Sequence, residues 1–146
     1  MATSLDLRII ANRTVTDEAV SGEIGIYPTS SIDIAKLARA SGLTVQFDHE
    51  ADHRRYQILE AAEFWLPVLQ VGAGVLIGIG TNWLSDLIKD WLGSEAEESI
   101  LHVDYRIVEA DGTEKSVQLD GKGEDVLRAI DKFENRYLPG SEDDEE

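Results

Sequence analysis

The amino-acid sequence predicts a single α+β domain, in which a small mixed or antiparallel sheet packs against helices and one helix is long, apolar and glycine-rich. Three observations lead to this prediction. Several segments alternate apolar and polar residues, as strands with one buried face do. Other segments carry apolar residues at helical spacing. Finally, the 22 residues of segment 64–85 carry no charge, although the chain has a net charge of −16.

The first third of the chain predicts a compact α/β unit. Ser31 is a candidate N-cap, and the apolar residues after it predict a helix of about ten residues that Gly42 ends. From Asp52 the spacing of apolar residues is helical again and leads into the charge-free segment. Alternation predicts strands at residues 4–11, 24–28 and 43–48.

The charge-free segment 64–85, if helical, is roughly 33 Å long, close to the thickness of a bilayer's hydrocarbon core. Trp65 and Trp83 lie near its ends, where membrane helices carry interfacial aromatic residues. Gly74 and Gly78 are one turn apart and would let a second helix approach closely, in lipid, in a soluble core or between two copies of the chain. The segment therefore favours a buried core helix, a membrane-inserted helix or a helical hairpin bent at 78–80.

The helical pattern continues beyond the charge-free segment. From Trp83 to Leu92 the apolar residues fall on one helical face, and Gly93 is a typical helix stop. The predicted apolar helix therefore covers residues 64–92. The candidate interaction residues on it are Gly74, Gly78, Trp83 and Trp91.

A hairpin and a final helix are predicted in the last third of the chain. Residues 100–109 alternate, the Asp-Gly pair at 111–112 is a strong hairpin signal, and residues 116–119 form the return strand. Apolar residues at helical spacing predict an amphipathic helix over residues 125–137.

The charge of the chain narrows the classes of partner. The predicted domain spans residues 1–139, and the acidic residues 140–146 form a tail predicted to be disordered. The last five residues are all acidic, which leaves −11 for the rest of the chain. A surface of this charge repels phosphate backbones, so it argues against nucleic-acid binding; a basic protein partner, or simply solubility, explains the charge better.

Cysteine content and the N-terminus bear on the compartment. The sequence contains no cysteine, which excludes disulfides, thiol nucleophiles and cysteine metal ligands. The first ten residues, MATSLDLRII, lack the basic region and long apolar core of a signal peptide. These features predict a cytoplasmic protein, attached to the inner membrane if the apolar helix inserts there.

One motif could bind a metal. His49, Glu50 and His53 match H-E-x-x-H, in which two histidines on one face of a helix bind zinc and the glutamate acts as general base. The context argues against zinc, because the motif directly follows a predicted strand and Leu59 occupies the position of the third histidine of the longer motif. The simpler interpretation is a polar strand-to-helix junction. We therefore expect no metal and no cofactor.

The second half of the chain resembles a known family. An apolar glycine-rich helix that ends in Trp-Leu (72–92), a strand pair around Asp-Gly-Thr (103–119) and the start of a short helix (125–127) are similar to the effector-associated constant component modules of bacterial conflict systems. The resemblance covers roughly residues 65–135. It implies a non-enzymatic module that links an effector to a sensor or protease-like partner, and it implies no catalytic residues. The acidic charge and the longer amphipathic segment before Gly93 depart from the family.

These observations predict a protein-interaction or adaptor module, membrane-anchored if the apolar helix inserts. Two alternatives come from other classes. One is a small zinc hydrolase that uses His49, Glu50 and His53. The other is an acidic inhibitor or immunity-type protein that neutralises a basic partner.

Overall fold

The structure is a computed structural model that describes residues 7–16, 19, 21–57, 63–79 and 82–136. These residues form two β-sheets and four α-helices, which confirms the predicted α+β class. The strands are β1 (Leu7–Ile10), β2 (Arg13–Thr16), β3 (Glu23–Pro28), β4 (Val45–Phe47), β5 (Arg54–Gln57), β6 (Glu63–Gly72), β7 (Ile100–Val108) and β8 (Glu114–Lys122). The helices are α1 (Ser30–Ala40), α2 (Ala73–Ile79), α3 (Trp83–Leu92) and α4 (Gly123–Asn135).

The larger sheet has five strands in the order β4-β1-β6-β7-β8 and is mixed. β1 pairs with β4 and β6 with β7 in parallel, whereas β1 with β6 and β7 with β8 are antiparallel. Across the middle strands Ile9 lies opposite Leu69, and Leu69 lies opposite Tyr105. All three side chains are fully buried, so this row forms the centre of the core.

Three helices cover one face of this sheet, and the reason is visible in the sequence of β7. Leu101, Val103, Tyr105 and Ile107 are buried, whereas the residues between them are half-buried. Because side chains alternate along a strand, one face of β7 is apolar and the other is polar. Helices α1, α3 and α4 contribute the apolar side chains that complete the core on the apolar face.

The smaller sheet has three strands in the order β2-β3-β5. β2 pairs with β3 in antiparallel orientation, and β3 pairs with β5 in parallel. Its middle strand, β3, is buried from Ile24 to Pro28. Tyr27 is fully buried and meets the ring of Phe47 edge-on, with 5.4 Å between ring centroids. β3 thereby joins the small sheet to the core of the large one.

The predicted helix over 64–92 is wrong in its first part. Residues Glu63–Gly72 form strand β6, and only α2 and α3 after it are helical. A strand that lies between two others and is covered by helices reads as a continuous apolar run, which periodicity cannot distinguish from a buried helix. Pro67 lies at the register irregularity between Trp65 and Val68, where a residue without a backbone N–H interrupts the ladder least. Among the described residues no helix is long and apolar enough to cross a membrane.

The helix predicted from Asp52 is also wrong, because Ala51–His53 form a short 3-10 turn and β5 follows at once. Three other predictions agree with the structure: α1 ends before Gly42, α3 ends at Gly93, and the β7-β8 hairpin turns at 109–113. Ser31 is not the N-cap of α1, because the helix already begins at Ser30 and Thr29 precedes it. β2 was not predicted, since Val15 is its one half-buried residue and the strand has no alternating apolar face. The start of the first strand (4–6), Gly80, the domain end at 139 and the tail 140–146 lie outside the described residues.

Candidate functional site

The two histidines of the H-E-x-x-H segment make different contacts in the structure. His49 follows β4 and its Nδ1 lies 2.9 Å from the hydroxyl of Tyr27. His53 ends the 3-10 turn, with Nδ1 2.8 Å from Asp52 and Nε2 2.5 Å from the carbonyl oxygen of Ser21. These two contacts, the Ser21 carbonyl foremost, raise the pKa of His53. Because Ala51–His53 form only a short 3-10 turn, the segment lacks the helix that would present both histidines to zinc.

A packing role explains His49. Its ring lies against Gly25, where any Cβ atom would overlap it. Arg54 donates a hydrogen bond of 2.7 Å to the carbonyl oxygen of His49 and lies over the ring of Phe47. Glu50 has an extended backbone and only precedes the turn. In the part of the chain that the structure describes, no three His, Cys, Asp or Glu side chains are grouped so that they could hold a metal ion.

A third histidine, His102, joins three strands of the large sheet. Its Nδ1 is 2.6 Å from Asp120 on β8, and its Nε2 is 2.5 Å from Glu63 on β6. Its ring stacks on Trp65 with 3.8 Å between centroids. Burial lowers the pKa of His102, but the hydrogen bonds to the two carboxylates outweigh burial and raise it overall. Because both ring nitrogens are hydrogen-bonded to carboxylates, the ring links three strands and is not a free general base; we call this arrangement the His102 clamp.

His102 and Trp65 also line a cleft of about 270 Å³ between the small sheet and the polar face of the large one. The cleft is lined by both apolar and polar side chains, and the carboxylates beside His102 are partly exposed to solvent. Its other described lining residues are Asn12, Arg13, Ile26, Pro28, Leu66, Val68, Val103, Asp104, Gln118 and Asp120.

A second polar network lies inside the core. Trp83 Nε1 donates a hydrogen bond of 2.9 Å to the Tyr105 hydroxyl, which donates one of 2.5 Å to Glu134. The backbone N–H of Asn82 donates to the other carboxylate oxygen of Glu134 at 2.9 Å. Glu134 is fully buried, and burial raises its pKa to about 7 despite these donors. The network ties α4 to the start of α3, where Asn82 adopts a left-handed conformation with φ of 73°.

The predicted interaction residues divide into two pairs. Trp83 and Trp91 are half-buried and make contacts within the chain: Trp83 through Tyr105, and Trp91 edge-on against Phe64. Gly74 and Gly78 lie exposed on α2, and a Cβ atom at either position would meet nothing within 4 Å. Among the described residues, therefore, no helix approaches the two glycines closely.

The exposure of α2 is unusual for its composition. Its seven residues, AGVLIGI, include no polar side chain, yet only Leu76 is buried. Ile77 is 56% exposed and Ile79 is 39% exposed. A helix that is apolar on all sides normally lies inside a core or a membrane. Its exposure leaves an apolar surface that a partner could cover.

A groove lies beside α2, between the end of α1 and the first two turns of α3. Its volume is about 230 Å³. Ile79 belongs both to α2 and to this groove, so the two features adjoin; together we call them the docking surface. The described residues that line the groove are Leu37, Ser41, Leu43, Ile79, Trp83, Asp86, Leu87 and Asp90.

Comparison with known proteins found no matching family model, no matching curated protein and no matching solved structure. The assignment of a site therefore depends on the geometry of the described residues. Of the features above, the His102 clamp and the Glu134 network already have their hydrogen-bond partners within the chain. Other large apolar side chains are exposed as well, among them Ile32, Tyr56 and Ile100, but the docking surface joins two of them, Ile77 and Ile79, on one apolar helix beside a groove.

Proposed function

We propose that the protein is a non-enzymatic interaction module, an adaptor that couples an effector to partner proteins in a bacterial conflict or defence system. One observation carries the proposal: α2 is wholly apolar and largely exposed, in a chain whose net charge is −16. Contiguous exposed apolar surface in an otherwise charged protein is typical of protein-protein interaction sites. The resemblance of residues 65–135 to effector-associated modules supports the biological setting.

A protein partner fits this surface better than a membrane does. Cytoplasmic leaflets carry a negative surface potential, which repels an acidic surface. Asp86 and Asp90 lie beside the apolar residues of the docking surface and would face the lipid headgroups. Attachment to the inner membrane is therefore the less favoured form of the proposal.

The test compares exposed isoleucines on two helices, Ile77 and Ile79 on α2 and Ile32 on α1. Ile77→Gln with Ile79→Gln removes the apolar side chains of α2. Ile32→Gln is the matched control, because Ile32 on α1 is 46% exposed and does not line the groove. The tagged full chain is expressed in its source cells, cross-linked and purified, and the proteins recovered with it are quantified by mass spectrometry.

We expect the wild type and Ile32→Gln to recover the same partner, and the double variant to recover about tenfold less, as loss of apolar contacts at the centre of an interface predicts. Equal recovery by all three proteins would contradict the proposal. Wild-type protein that stays in the membrane pellet at high salt would show instead that α2 is a membrane contact, because salt releases electrostatic association only.

A further inference from the structure

Four apolar side chains line the groove between α1 and α3 and are called its floor here; Ile79 and the polar Ser41, Asp86 and Asp90 complete the lining. Leu43 and Leu87 are 6% and 3% exposed, and Leu37 and Trp83 are half-buried. Its volume of about 230 Å³ lies below the range of roughly 300–1,000 Å³ that is typical of small-molecule pockets. A space of this size suits one or two anchoring side chains of a peptide rather than a whole ligand.

Two carboxylates stand at the groove, one helical turn apart on α3. Asp86 and Asp90 are both exposed, and neither forms an ion pair with any residue in the described part of the chain. Asp90 lies in the last turn of α3, where the helix dipole disfavours negative charge. Its charge therefore does not stabilise the helix and is free to pair with a ligand. Of the described residues that line the groove, none is basic.

We infer that the groove binds a basic amphipathic helix of a partner protein. Apolar side chains of that helix enter the floor between Leu37 and Leu87. Two lysine or arginine residues spaced one turn apart pair with Asp86 and Asp90. Apolar anchors at helical spacing are how grooves between helices recognise such segments. The charge of −16 attracts a basic segment from a distance and repels acidic competitors.

This inference rests on the proposed function and names the chemistry of the partner. The probe is a displayed library of random peptides of about 16 residues, selected on the immobilised full chain. We expect the selected peptides to share apolar residues at i, i+3 or i+4 and i+7, together with Lys or Arg pairs spaced by three or four residues. A synthetic peptide from the selection and its scrambled version are then titrated against the protein variants.

The variants separate the groove from charge in general. Asp86→Asn with Asp90→Asn removes both carboxylates of the groove. Glu97→Gln with Glu98→Gln removes the same charge from an exposed turn that does not line the groove. The first pair is expected to weaken binding about three- to tenfold, as for two partly exposed ion pairs, and the second less than twofold. Ile79→Gln is expected to weaken binding as well.

Several results would overturn the inference. A selection that yields no peptide, or yields acidic or neutral ones, would do so, as would equal losses for the two charge-neutralised variants. Dimerisation that Ile79→Gln abolishes would assign the groove to a second copy of the chain. If the peptide test fails while partner recovery still depends on Ile77, the adaptor proposal stands and only the basic helix is wrong. If the peptides bind the groove but partner recovery does not depend on Ile77 and Ile79, the groove binds a basic helix and the proposal that α2 contacts the partner is wrong.

Discussion

Replacing Glu134 by glutamine tests the most strongly perturbed carboxyl group in the described core. Glu134 is fully buried, and its pKa rises from 4.5 to about 7. Burial is the main cause, because it disfavours the charged carboxylate; Asp131 and Asp86 add to the effect, while the hydrogen bonds from Tyr105 and from the backbone of Asn82 oppose it.

The sign follows from proton binding. Between pH 4.5 and about 7 the folded chain holds a proton at Glu134 that the unfolded chain has already lost, so the free energy of unfolding falls as pH rises. Above about pH 7 both states are ionised and the loss is complete. A shift of this size corresponds to about 3 kcal/mol. Glu134→Gln keeps the shape and cannot ionise, so its stability should not show this loss.

The assay is urea unfolding from about pH 5.5, above the sequence pI of 4.4, to about pH 8. Over this range we expect Glu134→Gln to gain about 2 kcal/mol relative to the wild type. The matched control is Glu124→Gln, on the exposed face of the same helix, which corrects for general charge repulsion. A difference between Glu134→Gln and the wild type that does not change with pH would refute the account of a neutral buried carboxyl.

Three further predictions concern individual positions. Gly112 has a φ of 91° in the hairpin turn, a conformation that valine adopts only with strain. Gly112→Val should therefore lower the free energy of unfolding in urea by about 1–2 kcal/mol, and Thr113→Val should lower it by less. Equal and negligible losses for the two variants would contradict the turn. A Cβ atom at Gly123 would overlap the backbone of the turn after α3, so Gly123→Ala should lower the melting temperature sharply. Gly74→Ala on the exposed helix α2, where a Cβ atom meets nothing, should raise it slightly. An unchanged melting temperature for Gly123→Ala would show that α4 does not start there. The pKa of His102 is raised in the folded chain, so its contribution to stability is fully present below the unfolded pKa of about 6.5 and is lost as pH rises through the folded pKa. The melting temperature of the wild type should therefore exceed that of His102→Gln by less at alkaline pH. A difference that grows with pH would contradict the clamp.

Local patterns were sufficient to predict the elements whose two faces differ. β7 alternates because helices cover one face only, and the turn at 111–112 fixes how β7 and β8 pair. That register places His102 opposite Asp120, so this half of the clamp was predictable from the turn. Glu63 was not predictable, since it reaches His102 through a strand pairing between distant parts of the chain.

The segment 64–85 could not be resolved by periodicity. β6 is apolar because it is a middle strand, α2 is apolar yet exposed, and the two follow each other without a polar residue between them. Both are predominantly apolar, so periodicity does not distinguish strand from helix here and tertiary pairing decides. The burial of Glu134 is only weakly indicated by the sequence. Glu134 lies at i+4 from Ile130 and i+7 from Leu127, on the apolar face of α4, where a carboxyl group is unusual.

The groove was not predictable, because its walls come from α1, α2 and α3 and meet only in the folded chain. Gly74 and Gly78 lie on the exposed helix α2, where no described residue of the chain packs closely against them; close approach of a second copy of the chain or of a partner helix stays a prediction. Trp83 and Trp91 stabilise the core through contacts within the chain.

Site-specific photo-cross-linking tests the central claim, that α2 is the surface a partner covers. A photoreactive amino acid is placed at position 77 in one protein and at position 32 in another, since both native isoleucines are similarly exposed. After irradiation in the source cells, the account predicts a cross-linked partner from position 77 and little or none from position 32. Cross-links of equal yield from both positions, or to lipid alone from position 77, would contradict it.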